Sequence, residues 1–405
     1  MKIASRCNIN CSYCYMYNAG DNSYLKQPKF ISDEIIYSFV EKVIAYCKRN
    51  NLNRFDFALH GGEPLLMGKS KFISMVTQLL RLHDENIEVG IAMQTNGILI
   101  DDEWCEIFKR YNISIGISLD GTKELHDKYR VDKKGNGTYD EVLKGIKILE
   151  EKYNNFGLLS VTNAEIEPET LFNHFVKMNF CTDFLLLESN YDNYKNKDTI
   201  MGDWLITMFN LWYKSISNHN IRIRIFEVIC RNILGDNSGT DSLGTSENSI
   251  LVLETNGGLE AVDVLKICGD SFTKNNINIK THNIEDVFSD SLIDVYYNSG
   301  KYLPRKCLAC PVQEICGGGY LPHRYSSING FNNPSVYCND LLKLITHIQN
   351  VIIGEMPENL VKETQIQKLT YENALQIIEE TLPSIPEPEY VEKLESFRNL
   401  EYDIV

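Results

Sequence analysis

Residues Cys7–Asn18 read CNINCSYCYMYN, three cysteines in the spacing C-x3-C-x2-C. A cubane of four irons normally takes four thiolates, so a three-cysteine loop leaves one iron with an open coordination position, able to hold a substrate or cofactor. The same thiols also suit zinc with a distant fourth ligand, or a redox thiol group. Spacing alone leaves all three open, and the flanking sequence decides among them.

Upstream, a first strand is expected before Cys7. Downstream of residue 33, amphipathic helical patterns alternate with short apolar, β-branched runs, as in a parallel βα repeat. Strands are predicted near Phe55–Leu59, Glu88–Gln94, Ser114–Leu119, Gly157–Val161 and Phe184–Leu187. The first helix is predicted to start on Asp33 as N-cap, with Ile35, Ile36, Phe39, Val40, Val43, Ile44 and Cys47 at helical spacing. Further helices are predicted over residues 69–83, 102–111, 139–152 and 167–178. About six βα units result, too many for a flavodoxin-like sheet and too few for a closed eightfold barrel. The expected fold is α/β, a partial (β/α)6 barrel over residues 1–190.

The pattern changes after that. Residues 191–249 read as a connector: a polar stretch to Asp203, a helix over 204–217, and a Gly, Ser, Asp and Asn cluster over 236–248. ILVLETNGGLEAVDVL (Ile250–Leu265) places two apolar runs around Asn256-Gly257-Gly258, a hairpin signal that opens a cysteine-rich unit over 250–350. Residues 351–405 are acidic, with a helical stretch and the run PSIPEP from Pro383, and read as a docking extension or a partly mobile tail.

A net charge of −15 argues against general affinity for nucleic acid or anionic membrane. No window approaches the roughly 18 apolar residues that span a bilayer, and MKIASRCNIN lacks a signal-peptide layout, so a cytoplasmic location is expected. Twelve cysteines in a reducing compartment point to iron or zinc ligation rather than disulfides. Cys47, Cys105, Cys181 and Cys230 are read as buried apolar thiols.

With HGGEP (His60–Pro64), QTNG (Gln94–Gly97), SLDG (Ser118–Gly121) and HDKYR ending at Arg130, the cysteine loop resembles the radical S-adenosylmethionine (SAM) superfamily. The resemblance implies a [4Fe-4S] cluster on Cys7, Cys11 and Cys14 that binds SAM and cleaves it to a 5′-deoxyadenosyl radical. It implies Tyr13 against adenine, Gly61, Gly62 and Glu63 at the SAM amino group, Gln94 and Asn96 among the cofactor contacts, and Ser118 and Arg130 at its carboxylate. A hydroxyl and a guanidinium suit that last task. His60 is read equally as a satisfied core histidine or a catalytic one.

Cys307, Cys310, Cys316 and Cys338 supply C-x2-C-x5-C and a distant partner, enough to close a cubane with no open site; structural zinc is the alternative. This group resembles the SPASM extension of radical SAM peptide maturases. Full members carry two auxiliary clusters, whereas Gly317-Gly318-Gly319-Tyr320 here lacks the next cysteine and Cys268 alone stands near a ligand of the other cluster, so one auxiliary cluster is expected. In the same stretch Gly317–Gly319 permits close backbone approach, and Arg324 is read as a partner for a carboxylate or a peptide carbonyl.

Cys307–Leu341 and Glu254–Lys266 resemble the maturases that make three-residue cyclophanes, of the Xye, Grr and Fxs types. The resemblance implies a precursor peptide as substrate, a one-electron reductant such as a flavodoxin or ferredoxin, and a bond between an aromatic ring and the Cβ of a residue two places later. Such an adduct must lose an electron and a proton; Asp120, Glu188, Asp192 and His323 are the candidate proton acceptors. The rivals are thioether formation, epimerisation, oxidation of a sulfatase Cys or Ser, a non-enzymatic electron carrier, and a zinc-stabilised interaction protein.

Overall fold

The computed structural model describes residues 1–162, 164–194, 199–236 and 239–399. The chain divides into two compact units, the first drawn from Met1–Thr162, Phe180–Leu185 and Leu251–Ile293, the second from the remainder.

The first unit is built on strands β1 (Lys2–Ala4), β2 (Ile9–Cys11), β3 (Arg54–Gly61), β4 (Glu88–Thr95), β5 (Ser114–Ser118), β6 (Arg130–Asp132), β7 (Phe156–Val161) and β8 (Thr182–Leu185). Six of them form one sheet in the order β1-β3-β4-β5-β7-β8, parallel at every step. The strand expected before Cys7 is β1. Helices α1 (Asp33–Arg49), α2 (Lys69–Leu79), α3 (Asp102–Tyr111), α4 (Lys123–Tyr129) and α5 (Tyr139–Lys152) fill the crossovers. They bury Val40, Phe72, Val76, Phe108 and Leu149, while the strands bury Ile3, Leu59 and Ile117. On the opposite parity, Ala58, Ala92 and Ser114 lie in register and exposed, which leaves that face of the sheet open.

The N-cap of α1 is Ser32 rather than Asp33: its hydroxyl accepts from the Ile35 amide, and Asp33 with Glu34 fills the first turn, where acidic groups complement the helix dipole. The second helix ends at Leu79 and tightens into a 3-10 turn over Leu80–Glu85. Cys47 and Cys105 are buried as expected, but Cys181 is exposed and Cys230 half-buried. Cys181 leads into β8, the last strand of the sheet order, where no further strand covers it.

The hairpin expected around Asn256-Gly257-Gly258 is β9 (Val252–Leu253) against β10 (Leu259–Glu260), with Leu259 opposite Leu253. Residues 250–350, read from the sequence as one domain, divide between the two units after Ile293. A buried charge network holds the hairpin region to β1: Lys2 Nζ donates to Glu254 at 2.8 Å, and Lys266 Nζ lies 3.2 Å from Glu254 and 3.6 Å from Asp21.

The second unit contains α6 (Pro168–Met178), α7 (Ile200–Lys214) and α8 (Arg224–Ile233); α9 (Ser291–Tyr297) spans the division, and α10 (Arg305–Leu308), α11 (Gln313–Cys316) and α12 (Cys338–Glu355) follow. Phe209 meets Trp212, Phe226 and His347 in an aromatic cluster joining α7, α8 and α12. The polar cluster over 236–248 includes two residues outside those described. Beyond residue 351, α13 (Glu358–Thr364) is followed by α14 (Tyr371–Thr381) and α15 (Val391–Glu395), which return to the cysteine-rich segment. The Tyr390 hydroxyl accepts from the Leu303 amide at 3.1 Å and donates to its carbonyl at 2.9 Å, and Arg305 Nε donates to the Ile385 carbonyl at 2.9 Å. The extension is therefore packed through α14 and α15, which bury Ala374, Ile378 and Leu394, while α13 buries no side chain. Among the described residues no helix is long and apolar enough to cross a membrane.

Candidate active site

In the first unit the sequence motifs converge on the C-terminal ends of the parallel strands, where open α/β sheets place their ligands. Two glycines decide where the cysteine loop begins. A Cβ on Gly61 would overlap the Ala4 carbonyl oxygen and one on Gly62 the Arg6 carbonyl, so only bare backbone lets the end of β3 approach the chain entering Cys7. The Gly62 and Glu63 amides then donate to the Ala4 and Arg6 carbonyls at 2.8 and 2.9 Å. β2 pairs antiparallel with β6, with Cys11 opposite Arg130. The turn closes as the Cys14 amide donates to the Cys11 carbonyl at 3.0 Å, and the Asn18 amide to the Cys14 carbonyl at 2.8 Å.

Glu63 is fully buried. Its carboxylate accepts from the Leu65 amide at 2.9 Å, the Thr95 hydroxyl at 2.7 Å and the Asn96 amide at 2.9 Å, so it ties the loop after β3 to the loop after β4. Burial nevertheless pushes its carboxyl above the usual range. Asn96 Nδ2 donates to Asn8 Oδ1 at 2.8 Å and lies 3.9 Å from Cys7 Sγ. Asn8, between two of the motif cysteines, carries no signal in the sequence alone. Gln94 Nε2 donates to the Ser118 hydroxyl at 2.8 Å.

Arg130 and Asp120 form a buried pair, Nε to Oδ2 at 2.8 Å, and the Tyr13 hydroxyl donates to the same oxygen. Asp120 Oδ1 accepts from the Val161 amide at 3.1 Å, so both oxygens are occupied; the Arg130 guanidinium also lies over the Tyr13 ring at 5.5 Å. Burial pushes the Tyr13 phenol well above its ordinary range, which keeps it a donor. Burial opposes the charge on Arg130, and Asp120 followed by Tyr13 more than offsets it. Arg130 Nη1 points at Cys11 Sγ, 3.7 Å away. His60 lies 3.5 Å from Asp263 in the buried charge network, and burial pulls its imidazole down to about 4.

In the second unit the four remaining motif cysteines line a single pocket. Its walls are Cys307, Cys310, Cys316 and Cys338 with Val312, Leu342 and Ile378 and one cation, Lys306, enclosing about 410 Å³ including the part open to solvent. Gly317, Gly318 and Gly319 all hold positive φ of 63°, 80° and 70°, which turns the chain sharply after Cys316. Burial raises the Cys310 thiol to about 11 and the Cys316 thiol to about 12, so ligation there releases protons.

Of the candidate proton acceptors, the structure brings two together. His323 Nε2 meets Glu188 Oε2 at 2.8 Å, both largely shielded, and the Tyr320 and Tyr337 rings pack edge-on against the imidazole at 5.3 and 5.1 Å. Asp192 is occupied elsewhere, accepting from the Ser327 amide at 3.0 Å and its hydroxyl at 3.1 Å. Asp241, in the polar connector, accepts from Tyr320 and sits beside Glu188 and Arg224; burial raises its carboxyl. No periodicity or motif marked it.

Both thiol sets fit iron-sulfur ligation by donor chemistry: three thiols with a guanidinium aimed at one of them, and four thiols around one largely apolar pocket. Among the described residues no three His, Cys, Asp or Glu side chains converge as ligands of a single ion do. A cubane spreads its ligands over four irons.

Residues 1–166 match the profile described as the Radical SAM superfamily. The chain has the radical SAM fold. It is 25% identical over 355 residues to the cysteine-type anaerobic sulfatase-maturating enzyme of Clostridium novyi, covering 83% of this chain and 90% of that one. It is 24% identical to the serine-type anaerobic sulfatase-maturating enzyme of Bacteroides thetaiotaomicron, covering 89% and 93%. Among solved structures, anSMEcpe with bound AdoMet and the Cp18Cys peptide superposes with a TM-score of 0.71 at 22% identity, over 86% of this chain and 97% of that one. The similarity to these proteins thus extends, in both kinds of comparison, well past the segment matched by the profile.

Proposed function

We propose that this chain is a radical SAM enzyme that oxidatively modifies a peptide, with one [4Fe-4S] cluster on Cys7, Cys11 and Cys14 and a second on Cys307, Cys310, Cys316 and Cys338. One observation carries the oxidative part. The four-cysteine pocket and the Glu188–His323 pair occur in the same unit, linked by a short run of chain: the Val336 amide donates to the His323 carbonyl at 2.9 Å, the Tyr337 ring packs on the imidazole, and the next residue is Cys338. An electron acceptor and a proton acceptor so connected suit a substrate that must lose one of each. Relatives named for sulfatase maturation, and a related structure with a bound peptide, favour a polypeptide substrate.

When bound, a cluster held by Cys7, Cys11 and Cys14 together with SAM would supply hydrogen-abstracting radical chemistry, and a cluster held by Cys307, Cys310, Cys316 and Cys338 would supply a one-electron acceptor. The chain's own residues do the rest. Ser118 and Arg130 offer a hydroxyl and a guanidinium to the SAM carboxylate, with Gln94 and Asp120 as positioning residues that aim them. Glu63 and Asn96 hold the loops that frame Cys7. Glu188 accepts the proton, and His323 shares it through their 2.8 Å contact. The reductant is a small one-electron carrier such as a flavodoxin or ferredoxin.

Within this class we propose carbon-carbon crosslinking of an aromatic ring to the Cβ of a residue two positions on, as the cysteine-rich segment suggests. A second reading, oxidation of a Cys or Ser side chain to an aldehyde, is favoured by the names of the relatives. The test is anaerobic reconstitution with iron and sulfide, then incubation with SAM, reductant and the peptide encoded beside the gene. About eight irons, 5′-deoxyadenosine, and a product two hydrogens lighter that resists hydrazide and carries a ring-to-Cβ bond support crosslinking. A product trapped by hydrazide favours the second reading. Bound zinc without SAM cleavage overturns both.

A further inference from the structure

Arg324 is the largest of the fully buried side chains, at 0% exposure. Its Nη1 donates to the Tyr302 carbonyl at 3.0 Å and its Nη2 to the Ser299 carbonyl at 2.8 Å, while Nε is buried without a partner. Among the described residues, the groups that act on its charge are the Cys307 and Cys316 thiols and the Tyr390 phenol, and no carboxylate pairs with it. Arginine stays charged in proteins, and a buried charge lacking a counter-charge is strongly unfavourable. The fold nonetheless makes room for it. A Cβ on Gly318 would stand 3.1 Å from Nη1, so the glycine run that turns the chain after Cys316 also clears space for the guanidinium.

With thiols protonated, nothing near Arg324 balances it. With the four cysteines ligated as thiolates, the charge closest to it becomes negative. We infer that Arg324 is the fully buried counter-charge of the second iron-sulfur cluster, on the Cys307 and Cys316 side of a pocket that the half-buried Lys306 also lines, and a positioning residue that holds this cluster at a potential where it readily takes an electron. The inference rests on the cluster assignment made under Proposed function. A four-thiolate cubane is anionic and gains one more negative charge on reduction, so a fixed cation beside it favours the reduced form; net charge and burial are known determinants of cluster potential. In the crosslinking reading, the electron this cluster would receive is the one the adduct loses as its proton passes to Glu188.

The test uses the full-length chain with Cys7, Cys11 and Cys14 changed to Ala, reconstituted so that only the second cluster is present. The reduced fraction is read by electron paramagnetic resonance against solution potential, without substrate. At a fixed potential, Arg324→Gln should lower the reduced-to-oxidised ratio at least about tenfold, equivalent to about 59 mV for one electron, while Arg324→Lys should stay within about threefold of the parent. A Gln variant with full iron content and the parent's ratio overturns the inference, as does a Lys variant that shifts as far as Gln. If the Gln variant takes up no iron, uptake with a parent-like ratio in the Lys variant supports the role of charge, and loss in both overturns it. A parent chain that takes up no iron at these cysteines sinks the cluster assignment itself; an iron-loaded parent beside an unshifted Gln variant sinks only the role of Arg324.

Discussion

On the proposed reading, the two cysteine sites solve different problems with the same ligand. The N-terminal triad sits on a loop pinned by backbone pairing to β6 and surrounded by polar groups that engage one another, Arg130 with Asp120 and Tyr13, Gln94 with Ser118, and Asn96 with Asn8. The C-terminal quartet sits in a largely apolar pocket walled by Val312, Leu342 and Ile378, with one fully buried cation nearby. A site that must admit a charged cofactor needs polar groups held ready around an open position. A site that only passes electrons does better with apolar walls and its charge balance built in. The contrast teaches that ligand number and surroundings, together, support the two roles proposed.

Removing each set of cysteines should break the contrast most sharply. Changing Cys7, Cys11 and Cys14 to Ala should reduce 5′-deoxyadenosine formation to the level of buffer. Changing the C-terminal four should leave deoxyadenosine formation measurable and abolish the peptide product; chromatography of both products checks this, and loss of SAM cleavage in both variants would mean that the sites do not divide the work. Next in size, Glu188→Gln should slow peptide product formation about 10²–10⁴-fold with deoxyadenosine retained, whereas Asp192→Asn should change little, because that carboxylate serves the Ser327 turn. Equal losses in single-turnover assays would remove Glu188 from its role.

Two stability effects sharpen the comparison further. Asp120→Asn strands Arg130 as a buried charge and should cost about 3–5 kcal/mol in denaturant unfolding; a cost within error of zero would mean the pair is dispensable. Ile378→Ala opens the wall of the quartet pocket and should cost about 2–4 kcal/mol, with faster loss of the second cluster in air by absorbance.

The smallest effect is pH-dependent. His126 is fully buried, with Nε2 3.1 Å from the Thr138 hydroxyl, and burial first, then Arg130, pulls its imidazole from 6.5 to about 4. Between those values the unfolded chain binds the proton and the folded chain does not, so stability falls as pH drops through the window, by about 2 kcal/mol at pH 5. The stability of His126→Gln relative to the parent should improve by that amount between pH 7 and pH 5. An unchanged gap would show that His126 titrates alike in both states.

Period and spacing were enough to reveal most of the scaffold. Alternating apolar runs located the crossover strands to within a few residues, and Asn256-Gly257-Gly258 located the hairpin, because both signals are local. The cap of α1 was off by one residue, since Ser32 and Asp33 are both good capping types and only backbone geometry separates them. The cysteine spacings are local in the same way, and the structure gathers the second four around one pocket. What each polar residue does was not. Asp120, first among the candidate bases by its place after a strand, has both oxygens occupied, while Glu188 and His323, 135 positions apart, meet at 2.8 Å. Arg324, read as a partner for a carboxylate or a carbonyl, meets two carbonyls of its own chain and no carboxylate among the described residues. Sequence by itself determined which chemistry the ligands permit and the order of strands and helices that carries them. The tertiary structure alone decided which charges are paired, which are buried and which oxygens stay available, because hydrogen bonding and desolvation depend on neighbours that chain order does not reveal.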